Sequence, residues 1–175
     1  EMGAGSASGG GISNNVGKDQ SPSIAMGTDG KPIIAWAYEG PGCCFDIYAK
    51  RWNGSAWVEM GGSASNGGIS NDSGGSDGPS LAIDSNGAFI VAWRNNLNFP
   101  DSDIYVRRWN GTAWVEMGQA SAAETGISKN SGASEAPSLA IGPDGAPVIV
   151  WHDDSGGDWE IYARRWNGAI WAEMA

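Results

Sequence analysis

The sequence predicts an all-β fold in which one four-stranded antiparallel unit is built three times over. Three observations predict it. The string from Arg51 to Gly61 returns almost unchanged from Arg108 to Gly118 and again from Arg165 to Ala175. Inside each return, an Asn-Gly pair (Asn53-Gly54, Asn110-Gly111, Asn167-Gly168) sits between alternating apolar and polar residues, the strongest short-range signal for a hairpin. No stretch shows the 3.6-residue apolar period of an amphipathic helix, so helix is not expected.

The recurrence runs through the whole chain. Gly11-Ile12-Ser13 returns as Gly68-Ile69-Ser70 and Gly126-Ile127-Ser128. Pro22, Pro79 and Pro137, then Trp36, Trp93 and Trp151, then Tyr48, Tyr105 and Tyr162 repeat at spacings of 57 and 58 residues. Self-similarity at such a period marks an array of supersecondary units. The copies are placed at 1–60, 61–117 and 118–175.

The middle copy shows the elements in order. Pro79 to Ile83 reads as a first strand, and Asp84-Ser85-Asn86-Gly87 as a turn in which Gly supplies the positive φ. Phe89 to Trp93 is a continuous apolar run, as suits a strand buried on both faces. A polar loop leads to a third strand, Asp103 to Trp109; the Asn110-Gly111 turn then leads to a fourth, Thr112 to Met117. A connection rich in Gly, Ser and Asn joins each copy to the next.

Polarity changes along each copy. Strands one and two are almost wholly apolar, whereas strands three and four alternate with Arg, Lys and Glu. That order suits a β-propeller blade, with inner strands sandwiched between neighbours and outer strands half exposed. One blade cannot bury both faces alone, but stacked blades can. The recurring Trp and Tyr, each able to bury roughly 150–250 Å², are natural filler between them.

Composition narrows the function classes. Ten Lys and Arg against 20 Asp and Glu give a net charge of −10, which repels phosphate backbones and argues against nucleic acid as a partner. No apolar run approaches the roughly 20 residues of a membrane span, so membrane insertion is not expected. Charged residues are only 17% of the chain, and 28 Gly with ten Trp fit many short strands joined by tight turns. Cys43 and Cys44 are adjacent and occur in one copy only. They form no disulfide framework, and a free pair or a bond to another chain stay open.

The run from Pro79 to Trp93 with its counterparts, followed by Asp-Ile-Tyr and Arg-Trp-Asn-Gly-x-x-Trp, resembles the tandem propeller repeats of secreted bacterial proteins. The hairpin motif Arg-Trp-Asn-Gly-x-x-Trp is also similar to that of small fucose-binding propeller lectins. That resemblance implies a sugar held between adjacent blades by Arg, Glu and Trp. Arg51, Arg108, Arg165 and the hairpin Trp residues could correspond, while the acidic partner has no secure match. The first resemblance, with the acidic, Lys-poor composition, implies an extracellular or cell-surface protein.

Three blades do not close a ring, since closed propellers typically have about 4–8. Two apolar faces would remain open, beyond what a soluble monomer tolerates. Glu1-Met2-Gly3 matches the end of strand four of a preceding blade. Self-association, or further blades of a longer chain, is expected to close the structure; head-to-tail joining that misses closure would give a filament.

Candidate sites are few. Sugar rings stack on aromatic faces flanked by polar groups, and binding residues favour loops on a rigid scaffold. The candidates are therefore Trp36, Trp93 and Trp151 at the end of strand two, with the loop residues Tyr38, Arg94, Asn96, His152 and Trp159. Packing between blades is the competing reading for the three strand-two Trp residues. His152 is the sole histidine and has no counterpart in the other copies, so it is read as exposed rather than catalytic. Asp46, Asp103 and Glu160 begin strand three and are expected to cap it or to pair with nearby Arg. The acidic turn holding Asp153, Asp154 and Asp158 is a candidate calcium site, since calcium takes several oxygen ligands, although its spacing is not that of an EF-hand loop. No other metal or cofactor pattern is present. Asn53, Asn71 and Asn110 fit the N-glycosylation triplet, and two of them are also hairpin turns.

The expectation is thus a non-enzymatic module that binds glycans through loops on one face. The alternative is a structural repeat that self-assembles into a ring or filament.

Overall fold

The structure, a computed structural model, describes residues 2–3, 5–41, 44–97 and 100–174. It is all-β, with no helix among the described residues. The strands are β1 (Lys18–Met26), β2 (Pro32–Glu39), β3 (Phe45–Trp52), β4 (Trp57–Val58), β5 (Ser76–Ile83), β6 (Phe89–Asn95), β7 (Asp103–Trp109), β8 (Trp114–Glu116), β9 (Ser134–Ile141), β10 (Pro147–Asp153), β11 (Glu160–Trp166) and β12 (Trp171–Glu173). They form three antiparallel sheets, each in simple up-and-down order: β1 to β4, β5 to β8 and β9 to β12. These are three blades of a partial propeller, and the ring is not closed.

Turn chemistry fixes the register. At each hairpin an Asn side chain folds back on its own turn: Asn110 Oδ1 accepts from the amides of Thr112 and Ala113, both at 2.9 Å, and Asn53 and Asn167 do the same. The triplet asparagines Asn53 and Asn110 thus have a structural task, and Asn71 lies on the surface at a positive φ of 44°.

Every first strand is longer than its apolar run and carries a bulge. Pairing slips between Gln20 and Ser23, between Asp77 and Ser80, and between Glu135 and Ser138. The residue before each proline sits at positive φ: Ser21 (52°), Gly78 (60°) and Ala136 (50°). Proline has no amide to give the ladder, so a bulge is where a strand accommodates it.

Two apolar clusters lie between the blades. One joins Ile33, Ala35 and Ile47 of the first blade to Leu81, Phe89 and Trp93 of the second. The other joins Ile90, Ile104 and Val106 of the second blade to Leu139, Ile149 and Trp151 of the third. The inner-apolar gradient therefore holds fully only in the middle blade. β1 is almost entirely exposed, and Ile161 and Tyr162 of β11 lie open. Burial here belongs to the blade-to-blade contact, and the outer blades each lack one.

The segment after β4 turns back onto the blade it has just left. Ser63 O accepts from the Ala49 amide at 2.7 Å, the Ile69 amide donates to Ile47 O at 2.6 Å, and Ser70 Oγ accepts from the Ile47 amide at 2.9 Å. Ser121, Ile127 and Ser128 repeat this on Val106 and Ile104 of β7. Each fourth strand is short, so these connectors complete the outer edge that it leaves bare.

Candidate functional site

The turn joining the first two strands of each blade and the hairpin joining the last two lie at the same end. There one third-strand Arg of each blade meets a turn carboxylate. Arg51 Nη2 lies 2.7 Å from Asp29 Oδ2, and Arg108 Nη2 lies 2.7 Å from Asp84 Oδ2. Arg165 pairs with Asp144 in the same way. Asp29 and Asp144 hold the third position of their turns, whereas Asp84 holds the first of its own. The acidic partner escaped sequence comparison because it does not keep its place. A salt bridge needs only that the carboxylate reach the guanidinium, and two turn positions can do so.

Residues of these pairs line clefts between neighbouring blades. Between the first and second blades the cleft has a volume of about 360 Å³ and holds Arg51, Asn86, Phe89, Arg108 and Trp109. Between the second and third it reaches about 730 Å³ and holds Asp84, Arg108, Asp144, Arg165, Trp166 and Asn167. Phe89 fills the smaller cleft, with the Arg51 guanidinium 5.1 Å from its ring centre, a distance at which the cation is drawn to the ring face. The equivalent position in the larger cleft is Pro147.

The larger cleft alternates opposite hydrogen-bonding characters. Guanidinium only donates and carboxylate only accepts. The backbone amide of Ala146, with Arg165 beside it, holds the Asp144 carboxyl below its ordinary range against some desolvation, so it stays an acceptor at neutral pH. Asp84 Oδ1 is committed to the amides of Asn86 and Ala88, both at 2.9 Å, which fixes the orientation of its other oxygen toward Arg108. Half-buried Trp166 lies against Trp171 at a ring separation of 5.7 Å, a pairing that Trp52–Trp57 and Trp109–Trp114 repeat.

The residues expected from the sequence to bind ligand separate into two groups. Trp36, Trp93 and Trp151 are buried. Their rings pack against Tyr48, Tyr105 and Tyr162 at 6.0–6.2 Å, and Trp36 and Trp151 also border clefts of about 440 and 490 Å³. The Tyr38 ring lies tilted against Tyr48 at 4.6 Å and its hydroxyl donates to Val16 O, and the Asn96 amide donates to Gly75 O. Arg94, His152 and Trp159 do come together, at the end opposite the clefts. Arg94 Nη1 lies 2.9 Å from Glu135 Oε1, His152 Nε2 lies 3.6 Å from Glu135 Oε2, and the His152 and Trp159 rings are 4.6 Å apart. Trp159 is 53% exposed. Glu135 was missed because it lies in a first strand, where the bulge beside it turns it toward the neighbouring blade.

The acidic turn is divided as well. Asp153 is wholly buried and accepts from Ser134 Oγ and Asn130 Nδ2, each at 2.5 Å. Asp154 Oδ1 accepts from the Ala133 amide at 2.7 Å, while Asp158 is exposed. The expected convergence of three carboxylates does not occur, and among the described residues no three His, Cys, Asp or Glu side chains are grouped to hold a metal ion. Asp46 and Asp103 accept from Ser70 Oγ at 2.8 Å and Ser128 Oγ at 2.9 Å, and so lock the connectors in place. Glu160 is exposed. Cys44 is half-buried and Cys43 lies outside the described residues.

No protein-family model matches the sequence, and no curated protein is similar enough to count as a relative. Three similar solved structures are each distant in sequence. A fucose lectin from Kordia zhangzhouensis in complex with methyl-fucoside is 13% identical with a TM-score of 0.53, over 88% of this chain and 97% of that one. An endo-arabinase from Bacteroides thetaiotaomicron is 16% identical with a TM-score of 0.57, over 90% of this chain and 62% of the enzyme. An exo-β-1,3-galactanase from Clostridium thermocellum is 12% identical with a TM-score of 0.58, over 92% of this chain and 37% of the enzyme. The chain thus spans less than two thirds of these hydrolases, and the likeness is one of fold. It corrects the sequence-based exclusion of enzymes, because the fold is shared by glycoside hydrolases as well as by a lectin.

Proposed function

We propose that the chain is a carbohydrate-binding propeller module that takes a polyhydroxylated ligand in the cleft between the second and third blades. The observation that carries the reading is the pair of Arg–Asp couples, Arg108 with Asp84 and Arg165 with Asp144, set around one cleft of about 730 Å³. That volume lies within the roughly 300–1,000 Å³ usual for ligand sites. A hydroxyl both donates and accepts, so adjacent hydroxyls on a sugar ring can satisfy alternating guanidinium and carboxylate groups, with Trp166 as the apolar wall. The fold neighbours support this chemistry, since one is a fucose lectin in complex with methyl-fucoside and others are an endo-arabinase and an exo-β-1,3-galactanase. An extracellular or cell-surface setting is part of the proposal.

The test is calorimetric titration with methyl-fucoside and with arabinan and galactan oligosaccharides, alongside an assay for released reducing ends that separates binding from turnover. Arg165→Ala and Asp144→Asn should each weaken binding at least tenfold. Trp159→Ala, at the opposite end, should leave it unchanged. Binding that depends on Trp159 and ignores Arg165 would move the site to the Arg94–Glu135 rim. Silence toward every sugar would remove the reading.

A further inference from the structure

Among the described residues three connectors share one shape, and two of them close on the third strand of the blade they leave. Ser63, Gly68, Ile69 and Ser70 close on β3, and Ser121, Gly126, Ile127 and Ser128 close on β7. Their counterparts Ser6, Gly11, Ile12 and Ser13 lie ahead of the first blade. This leading connector already has the shape of the other two. The Gly11 amide donates to Ser8 O at 3.1 Å, as Gly68 does to Ser65 and Gly126 to Ala123, both at 2.9 Å. The φ values of Gly11, Gly68 and Gly126 are 65°, 63° and 55°. Lys50 Nζ holds Ile12 O and Ser13 O, both at 2.9 Å, where Arg107 Nη1 holds Ile69 O at 2.5 Å.

What differs is the space beside the glycine. A Cβ on Gly68 would lie 2.3 Å from Ile47 O and from the Tyr48 ring, and one on Gly126 would lie 2.2 Å from Ile104 O. A Cβ on Gly11 would meet nothing within 4 Å. An uncovered strand equivalent to those hosts lies in the third blade. β11 carries Ile161, Tyr162 and Ala163 where β7 carries Ile104, Tyr105 and Val106. Ile161 is 76% exposed, while Ile104 and Ile47 are fully buried. A groove of about 490 Å³ runs along β11 beside Ile161, Tyr162, Ala163 and Met174, and Met174 is exposed where Met60 and Met117 are buried.

The sheet faces match in the same way. Ile24 of β1 is 64% exposed, although its counterparts Leu81 and Leu139 are buried against the preceding blade. The Leu81 amide donates to Ser23 Oγ at 3.1 Å and the Leu139 amide to Ser80 Oγ at 2.9 Å. The next acceptor in that series is Ser138 of the third blade, and the matching donor is the Ile24 amide of the first.

We propose that the leading connector and β1 of one chain dock on β11 and the open third-blade face of a second copy. The contact is continuous with the interface that the chain already makes twice within itself. Two chains joined so at both ends would close six blades about a two-fold axis, within the range of about 4–8 that closed propellers use. Unlike a polymerising head-to-tail contact, closure leaves no apolar face open.

Sedimentation of the 175-residue chain over a concentration series tests this. A two-chain species is expected. Gly11→Ala should weaken association at least tenfold, because the added methyl would strike the Ile161 carbonyl of the second copy. Ile161→Glu should do the same from the other side without harming the fold, since the residue is exposed in the single chain. Gly9→Asn is the control: its counterparts are Asn66 and Glu124, both at positive φ, so a side chain is tolerated there and association should be unchanged. Circular dichroism and denaturation of the variants confirm that each remains folded. A chain that stays monomeric at every concentration, or an assembly indifferent to both Gly11→Ala and Ile161→Glu, overturns the proposal.

Discussion

Asn95 Nδ2 donates to Asp72 Oδ2 at 2.7 Å, and one blade later Asn130 Nδ2 donates to Asp153 Oδ2 at 2.5 Å. The positions are equivalent, but acid and amide have changed places. Each pair ties a connector to the end of a second strand, with a serine (Ser76 or Ser134) bonded to the second-strand partner. The exchange alters the charge balance. Burial pushes the Asp72 carboxyl above its ordinary range despite the hydrogen bonds it accepts. Burial also opposes ionisation of Asp153, but donation from Ser134, Ser155 and Asn130 outweighs it and holds that carboxyl low.

The exchange predicts strong coupling. Asn95→Asp alone places two carboxylates in one half-buried site and should destabilise the protein by about 1–3 kcal/mol at neutral pH. The double variant Asp72→Asn with Asn95→Asp should recover most of that loss, since it rebuilds the third-blade arrangement. The pH dependence follows from the signs. The contribution of Asp153 is present above the unfolded carboxylate value of about 3.9 and is lost as pH falls through its lower folded value. That of Asp72 is present below about 3.9 and is lost as pH rises through its raised folded value. Urea titrations at pH 4 and pH 7 check this, and an Asn95→Asp chain as stable as the parent at pH 7 would refute it.

Tyr105 should ionise late. Its ring is buried, its hydroxyl donates to Glu124 O at 2.8 Å, and burial with the nearby Asp103 and Asp72 charges pushes its pKa up to about 12. The folded value exceeds the unfolded value of about 10. The associated stability is therefore whole below pH 10 and disappears as pH rises through about 12, on the order of 3 kcal/mol. Tyrosinate absorbance followed against pH should show a late step that Tyr105→Phe deletes. At neutral pH that substitution should cost roughly 1 kcal/mol for the lost hydrogen bond. Full ionisation near pH 10 in a chain that is still folded would count against the burial argument.

Trp93 and Trp159 should behave as opposites. Trp93 is 0% exposed and lies in the cluster between the first and second blades, so Trp93→Ala should cost about 3–5 kcal/mol. Trp159 stands on a loop, 53% exposed, with the His152 ring beside its own, and Trp159→Ala should fall within about 0.5 kcal/mol of the parent. Chemical denaturation with fluorescence detection measures both. A loss below about 1 kcal/mol for Trp93→Ala would mean that the blades do not pack as described.

The sequence by itself determined the strand content, the four-strand unit and the hairpin turns. These depend on interactions within a few residues: period-two alternation, the Asn side chain closing its own turn, and Gly at positive φ. Third strands such as Asp103 to Trp109 were therefore legible to the residue. Only the tertiary structure decided what each strand faces. Leu81 and Ile24 stand at equivalent places in near-identical strands, yet one is buried and the other open, because a neighbouring blade covers the first alone. Likewise the partner of Arg108 lies 24 residues away in the chain at a turn position that the other blades do not use. Contacts between blades are set by distance in space, and a linear pattern records the residues that make them without recording which ones meet.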